Sequence, residues 1–148
     1  MENRLSAWGE HQQHYHNHVM DALPLIYVAV GGALGSLARY FVATWIGRLS
    51  AGSFPLPIFI VNISGSFLMG LWIGAMTLML PGKAKELHLL IAVGVLGGYT
   101  TFSTFSLESY MLLEKGLWLQ AATYMAGSVL FSVAALFAGL WLMRMVSA

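Results

Sequence analysis

Four long apolar stretches leave this chain few ways to fold. They run over 24–47, 54–80, 87–113 and 116–143, and each exceeds the roughly 20 residues that carry a helix across a bilayer. Only short connections separate them, which leaves no room for a soluble domain. The expectation is an all-α membrane protein with four transmembrane helices. Composition agrees: 58% of the 148 residues are hydrophobic and 9% are charged, where a soluble domain carries roughly 25% charged residues. Residues 1–23 form a polar tail and residues 24–148 the membrane domain. The tail lacks the basic-then-apolar order of a signal peptide. It gathers His11, His14, His16 and His18, which read either as a solvated, disordered extension or as a transition-metal tract. They precede every span and cannot line a path through the membrane. The chain has no cysteine, so disulfides and thiolate metal sites are excluded.

Lysine and arginine in the connections report orientation. With four spans, Arg4, Lys83, Lys85 and Arg144 fall on one side and Arg48 and Lys115 on the other. That bias is weak, and charge alone leaves insertion in both orientations open.

Polar residues inside the spans carry the functional signal. In the first span, Gly31 and Gly35 make a small-xxx-small pair that admits a neighbouring helix. Arg39 lies well inside the same span, and its guanidinium keeps its proton. It must therefore reach the interface or find polar company. In the second span, Asn62 and Ser66 are four apart and share a helix face. Deep asparagine serves either adhesion between helices or contact with a passing solute. In the fourth span, Gln120, Tyr124, Ser128 and Ser132 form a slanted polar stripe.

The densest signal is "GVLGGYTTFSTFSLESY", residues 94–110. Gly97 and Gly98 fall near the middle of the third span, and adjacent glycines weaken a helix by about 1 kcal/mol each. Thr100 and Thr101 are β-branched and divert backbone hydrogen bonds. The third helix is therefore expected to break here. Carbonyls freed at this depth must be buried in protein or bound to something, and a bare alkali cation is one suitable occupant. If helix resumes beyond the break, a 100° step per residue places Thr101, Phe105, Phe102 and Ser106 within an arc of about 140°. Aromatic rings have positive edges, and hydroxyls and amides donate hydrogen bonds. Ring edges, such donors and one fixed cation together suit a small anion. Glu108 is the only acid inside any span, which argues against a cation path with its usual acidic rings.

At these residues the chain resembles the Fluc (CrcB-type) fluoride channels of microorganisms. The resemblance covers about Leu25 to Met143 and is carried by "GGALGSLARY", "VNISGSFLMG" and "GGYTTFSTFSLE". It implies an antiparallel, dual-topology homodimer in the bacterial inner membrane, enclosing two narrow fluoride pores. Asn62 would contact the anion, and Phe102 and Phe105 would supply ring edges. Tyr124 and Ser128 would stand beside those rings, and Arg39 matches the family's first-span arginine. A central sodium ion would sit at the dimer interface, held by the backbone carbonyls of Gly97 and Thr100. Glu108 belongs to the same pattern without an assigned role. Many relatives carry Gly-Thr where this chain has Pro57 and Ile58, so one polar stop near the vestibule is missing.

The implied activity is passive fluoride export that relieves toxicity, without ATP, a redox cofactor, nucleic acid or enzymatic chemistry. The residues alone point only to a small anion. A four-helix proton-coupled exporter of cationic compounds is the alternative, but it needs a deep acid in the first span, which carries Arg39 instead. An intramembrane hydrolase built on Ser64 has no base opposite it, His88 being at the start of the third span. Polar stripes that merely glue helices together are the structural reading.

Overall fold

The computed structural model describes residues 22–50, 52–79 and 85–146. The tail histidines, Arg4, Lys83 and the 80 end of the second expected span lie outside the described residues. Every regular element described is helical. Helices α1 (Ala22–Leu49), α2 (Leu56–Met79) and α6 (Trp118–Val146) are continuous. Between α2 and α6 the chain passes through α3 (Lys85–His88), a π-helical run Leu89–Leu96, α4 (Gly97–Tyr99) and α5 (Phe102–Glu114). Four stretches are long and apolar enough to cross a membrane: Ala22–Leu49, Leu56–Thr77, Lys85–Glu114 and Trp118–Val146. They match the expected spans to within a few residues.

Local chemistry sets the ends. The Phe59 amide donates to the Pro55 carbonyl at 3.2 Å, so Pro55 stands at the entry to α2 and only Pro57 lies inside its first turn. Neither proline wastes a helical donor there. Helix α5 stops at Gly116, whose φ of 74° is a conformation that glycine adopts without a Cβ penalty. The Leu117 amide reaches the Leu112 carbonyl at 2.9 Å and the Gly116 amide the Leu113 carbonyl at 3.0 Å. This double closure satisfies two carbonyls at the helix end and turns the chain straight into α6.

Large apolar side chains point outward along the spans; Phe41 is 67% and Leu119 80% exposed, while Tyr124 and Val61 are fully buried. Hydrocarbon around the molecule makes that arrangement stable. Without a hydrophobic drive between helices, close backbone packing must hold them together. Helix α2 lies along α6, where a Cβ on Gly139 would overlap the Phe67 carbonyl. Helix α1 lies along the π-helical run and α4. At their crossing a Cβ on Gly94 would stand 2.8 Å from the Gly31 Cα, and one on Gly35 would overlap the Val95 carbonyl.

Because the obstruction at Gly35 is backbone, Gly35→Ala must push α1 away from the third span. Overpacking of this kind costs about 1–3 kcal/mol. Gly32 has open space around a Cβ, with nothing within 4 Å, and alanine there gains helix propensity of about 1 kcal/mol. Thermal melts of detergent-purified protein should show Gly35→Ala well below the native chain and Gly32→Ala level with it or above. Equal melting of the two variants would contradict this contact.

Candidate permeation site

In hydrocarbon, a peptide group outside a helix must find its hydrogen bonds within the protein. Two residues of the third span face this demand. Thr100 (φ −79°, ψ 158°) and Thr101 (φ −152°, ψ 124°) are extended, between α4 and α5. Their four backbone groups all have partners. The Thr100 amide donates to the Leu96 carbonyl at 3.0 Å. Arg39 Nη1 donates to the Thr100 carbonyl at 3.2 Å. The Thr101 amide donates to Asn62 Oδ1 at 2.9 Å, and Asn62 Nδ2 returns a bond to the Thr101 carbonyl at 3.1 Å. The Asn62 carboxamide thus pairs with both polar groups of one residue, as a neighbouring strand would.

Thr101 then starts the next helix. Its Oγ1 accepts from the Thr104 amide at 3.3 Å, the usual service of an N-cap threonine. Gly97 and Gly98 are themselves helical; the extended residues are the two threonines. Gly98 serves packing instead, since a Cβ there would lie 2.6 Å from the Gly32 carbonyl.

Asn62 and Ser66 from α2, Gly97, Thr100 and Thr101 from the interruption, and Phe102 and Phe105 from α5 line one side of a cleft of about 410 Å³. Ser128, Val129 and Ser132 of α6 complete its wall, which bears no charged side chain. The rings of Phe102 and Phe105 have centroids 5.3 Å apart and planes at 43°. Phe102 is 76% exposed and Phe105 9%, so the cleft opens outward past Phe102. The buried Ser128 Oγ has no hydrogen-bond partner, and the Asn62 amide keeps a second N–H beyond the one given to Thr101. Both are donors held ready in a low-dielectric wall.

Five of the eight expected pathway residues, Asn62, Thr101, Phe102, Phe105 and Ser128, therefore share this cleft. The other three sit around it. Tyr124 stacks behind Phe105 with centroids 5.2 Å apart, and its hydroxyl donates to Glu108 Oε2 at 2.6 Å. Arg39 grips the interruption through Thr100. Ser106 Oγ donates to the Phe102 carbonyl at 2.9 Å on an exposed face. Ile58 is buried among Phe105, Leu112, Ala121 and Tyr124. Ser66 and Ser132 were not among the expected pathway residues, although each follows a named one, Asn62 or Ser128, by one helical repeat of four. The Glu108–Tyr124 bond spans two helices and leaves no local trace in the sequence. Among the described residues no group of three or more His, Cys, Asp or Glu side chains could hold a metal, so backbone oxygens are the candidates for a cation.

Residues 26–140 match the family model described as "CrcB-like protein, Camphor Resistance (CrcB)". The chain is 50% identical over 124 residues to a protein of Caulobacter sp. (strain K31) named "Fluoride-specific ion channel FluC", covering 82% of this chain and 95% of that one. A protein of the same name from Nitrobacter winogradskyi is 44% identical over 124 residues, covering 82% of this chain and 96% of its own length. One from Rhizobium etli is 46% identical over 117 residues, covering 79% and 93%. The match takes in all four spans and the interruption in the third, and the chain belongs to the CrcB family.

Proposed function

We propose that this chain is a fluoride-selective channel that lets fluoride leave the cell down its gradient and so relieves fluoride toxicity. It is a conduit, not an enzyme. The observation that carries this reading is the uncharged cleft lined by the Asn62 amide, five hydroxyl residues beside it and two phenyl rings, in a chain 50% identical to a protein named as a fluoride-specific channel. A wall of donors without a carboxylate favours an anion. Fluoride is small and strongly hydrated, so only closely spaced donors can stand in for its water, and each must hold it weakly enough to let go. The free Asn62 N–H, the Ser128 hydroxyl and the edges of Phe102 and Phe105 are such donors. Chloride, larger and a poorer acceptor, gains less from them. Tyr124 shares its proton with Glu108, so its hydroxyl meets an ion only when that bond opens.

One copy does not make a closed path, because the cleft opens past Phe102. A second copy supplies the missing wall in our reading, an antiparallel homodimer in the bacterial inner membrane. The weak charge bias between the two sides leaves such dual insertion open.

A sodium ion at the dimer interface fits the backbone at the interruption. In a continuous helix the Gly97 carbonyl would receive the Thr101 amide, but Asn62 takes that amide. Thr100's carbonyl has one lone pair engaged by Arg39 and one to spare. Hard oxygen donors suit an alkali cation, and two carbonyls from each of two copies would surround it. Its charge would neutralise part of the carbonyl field that otherwise repels an anion.

Purified protein in liposomes loaded with fluoride or chloride should lose fluoride rapidly and chloride negligibly; equal rates, or none, would overturn the channel. Phe105→Ile and Asn62→Ala should each suppress fluoride flux by at least tenfold. Asn62→Ala should also lower the melting point, since it strands two buried backbone groups at about 1–3 kcal/mol each. Normal flux in both variants would remove the cleft from the path. Replacing Na⁺ by N-methylglucamine should weaken the dimer on size exclusion, and indifference to the exchange would remove the ion.

A further inference from the structure

Behind Phe105 the aromatic packing that adjoins the cleft is covered. Tyr124 has no exposed surface, and Ala121, Leu112 and Ile58 around it are 0%, 3% and 6% exposed. Above it lies the connection between α1 and α2. Phe54 turns an edge to the Tyr124 ring, with centroids 5.7 Å apart and planes at 87°. It packs in the same manner on Phe59, at 5.5 Å and 71°. Pro55 and Pro57 stiffen this connection, and the Leu56 amide turns back to the Phe54 carbonyl at 2.7 Å. Next to Phe54, Ser53 Oγ donates to Gln120 Oε1 at 2.8 Å. Gln120 lies one helical turn before Tyr124, so ring contact and hydrogen bond tie the connection to one side of α6.

We propose that residues 52–55 form an apolar cover over the Tyr124 end of the path, with Phe54 as its stopper and the Ser53–Gln120 bond as its latch. This inference rests on the fluoride reading above and adds the residues that set access to one end. Donors run from Asn62 and Ser128 to the Phe105 edge and Tyr124, where they give way to Ile58, Leu112, Ala121 and Phe54. An ion at Tyr124 can turn toward Glu108, whose carboxylate repels it and already holds the hydroxyl, or it can pass Phe54. Narrow apolar constrictions block ions by excluding water. Discrimination between fluoride and chloride belongs to the cleft, so the cover sets the rate and leaves selectivity alone.

The chain has no cysteine, so a single Ala121→Cys substitution reports whether water reaches the covered cluster. Labelling by a small, charged methanethiosulfonate reagent should be slow in this background. It should accelerate when Gln120→Leu or Ser53→Ala is added. In the chain without the cysteine, either variant should raise initial fluoride efflux from liposomes about three- to tenfold, the equivalent of one ordinary hydrogen bond, with chloride still retained. Phe54→Ala should do the same without touching the latch. Ser53→Ala removes only an exposed hydroxyl, so it tests the latch even if a bulkier change impairs folding. Unchanged labelling overturns the cover, and faster labelling with unchanged or reduced efflux takes it off the ion path. A native chain that passes no fluoride defeats the channel reading instead, and labelling still reports on the cover.

Discussion

The exchange of two hydrogen bonds between the Asn62 carboxamide and Thr101 is what allows the third span to leave its helix inside a membrane. Unpaired, the Thr101 amide and carbonyl would each carry a desolvation penalty of several kcal/mol in hydrocarbon. Water is the ordinary remedy for such groups, but a wet interruption would be unselective. Here one side chain on α2 takes both groups, and Arg39 on α1 takes the neighbouring carbonyl. Three helices are thereby tied at one point, and the tie leaves donors over. A carboxamide has two N–H groups and Thr101 uses one of them. The same residue thus keeps the backbone satisfied and lines the cleft.

That tie depends on how closely the helices approach. Side-chain amides reach about one hydrogen-bond length, so α2 must lie directly against the interruption. Gly65, one turn beyond Val61 and Asn62, allows this: a Cβ there would overlap the Thr100 methyl group. Gly31 and Gly35 do the same for α1, letting its backbone rest on the π-helical run so that Arg39 arrives at the Thr100 carbonyl. The small residues determine the separations, and the polar residues act at the separations so determined. Moving either helix outward by a methyl group would strand the bonds at Thr100 and Thr101 together.

Much of this was legible in the sequence because it rests on periodicity and on the cost of polarity in lipid. Span number and span limits follow from apolar length. Asn62 and Ser128 are conspicuous because lipid-facing helices have no use for their polar groups, and Phe102 and Phe105 stand out only through the hydroxyl-rich motif that carries the family resemblance. What could not be read was pairing across helices. Asn62 and Thr101 are 39 residues apart in the chain, and nothing local says that one will complete the backbone of the other. The glycines were equally ambiguous: Gly97 and Gly98 advertise a weak helix, yet both remain helical and the threonines extend. Gly98 is needed for its lack of a side chain against α1, a tertiary demand that intrinsic propensity does not contain. The serines at 66 and 132 were visible as helical repeats of named residues, but only the assembled wall distinguishes a lining hydroxyl from an adhesive one.

Charge placement along α5 sets the sign of the potential at this wall. The N-terminal end of a helix carries about half a positive charge, and for α5 that end lies at Thr101, on the cleft. Arg39 adds a full positive charge one residue earlier, bound to a backbone carbonyl rather than to an acid. Glu108, the acid farthest from the ends of the third span, is displaced by nearly two turns along α5 and accepts from the Tyr124 hydroxyl. Positive potential is therefore concentrated where the free donors are, and the Glu108 carboxyl stands beyond the aromatic rings. Transposing Arg39 and Glu108 would preserve the net charge of the spans, yet it would put a carboxylate against the Thr100 carbonyl, where acceptor would face acceptor. The sign of the potential along the cleft is thus a matter of where each charge meets α5, with Arg39 of α1 beside its N-terminal end and Glu108 farther along it.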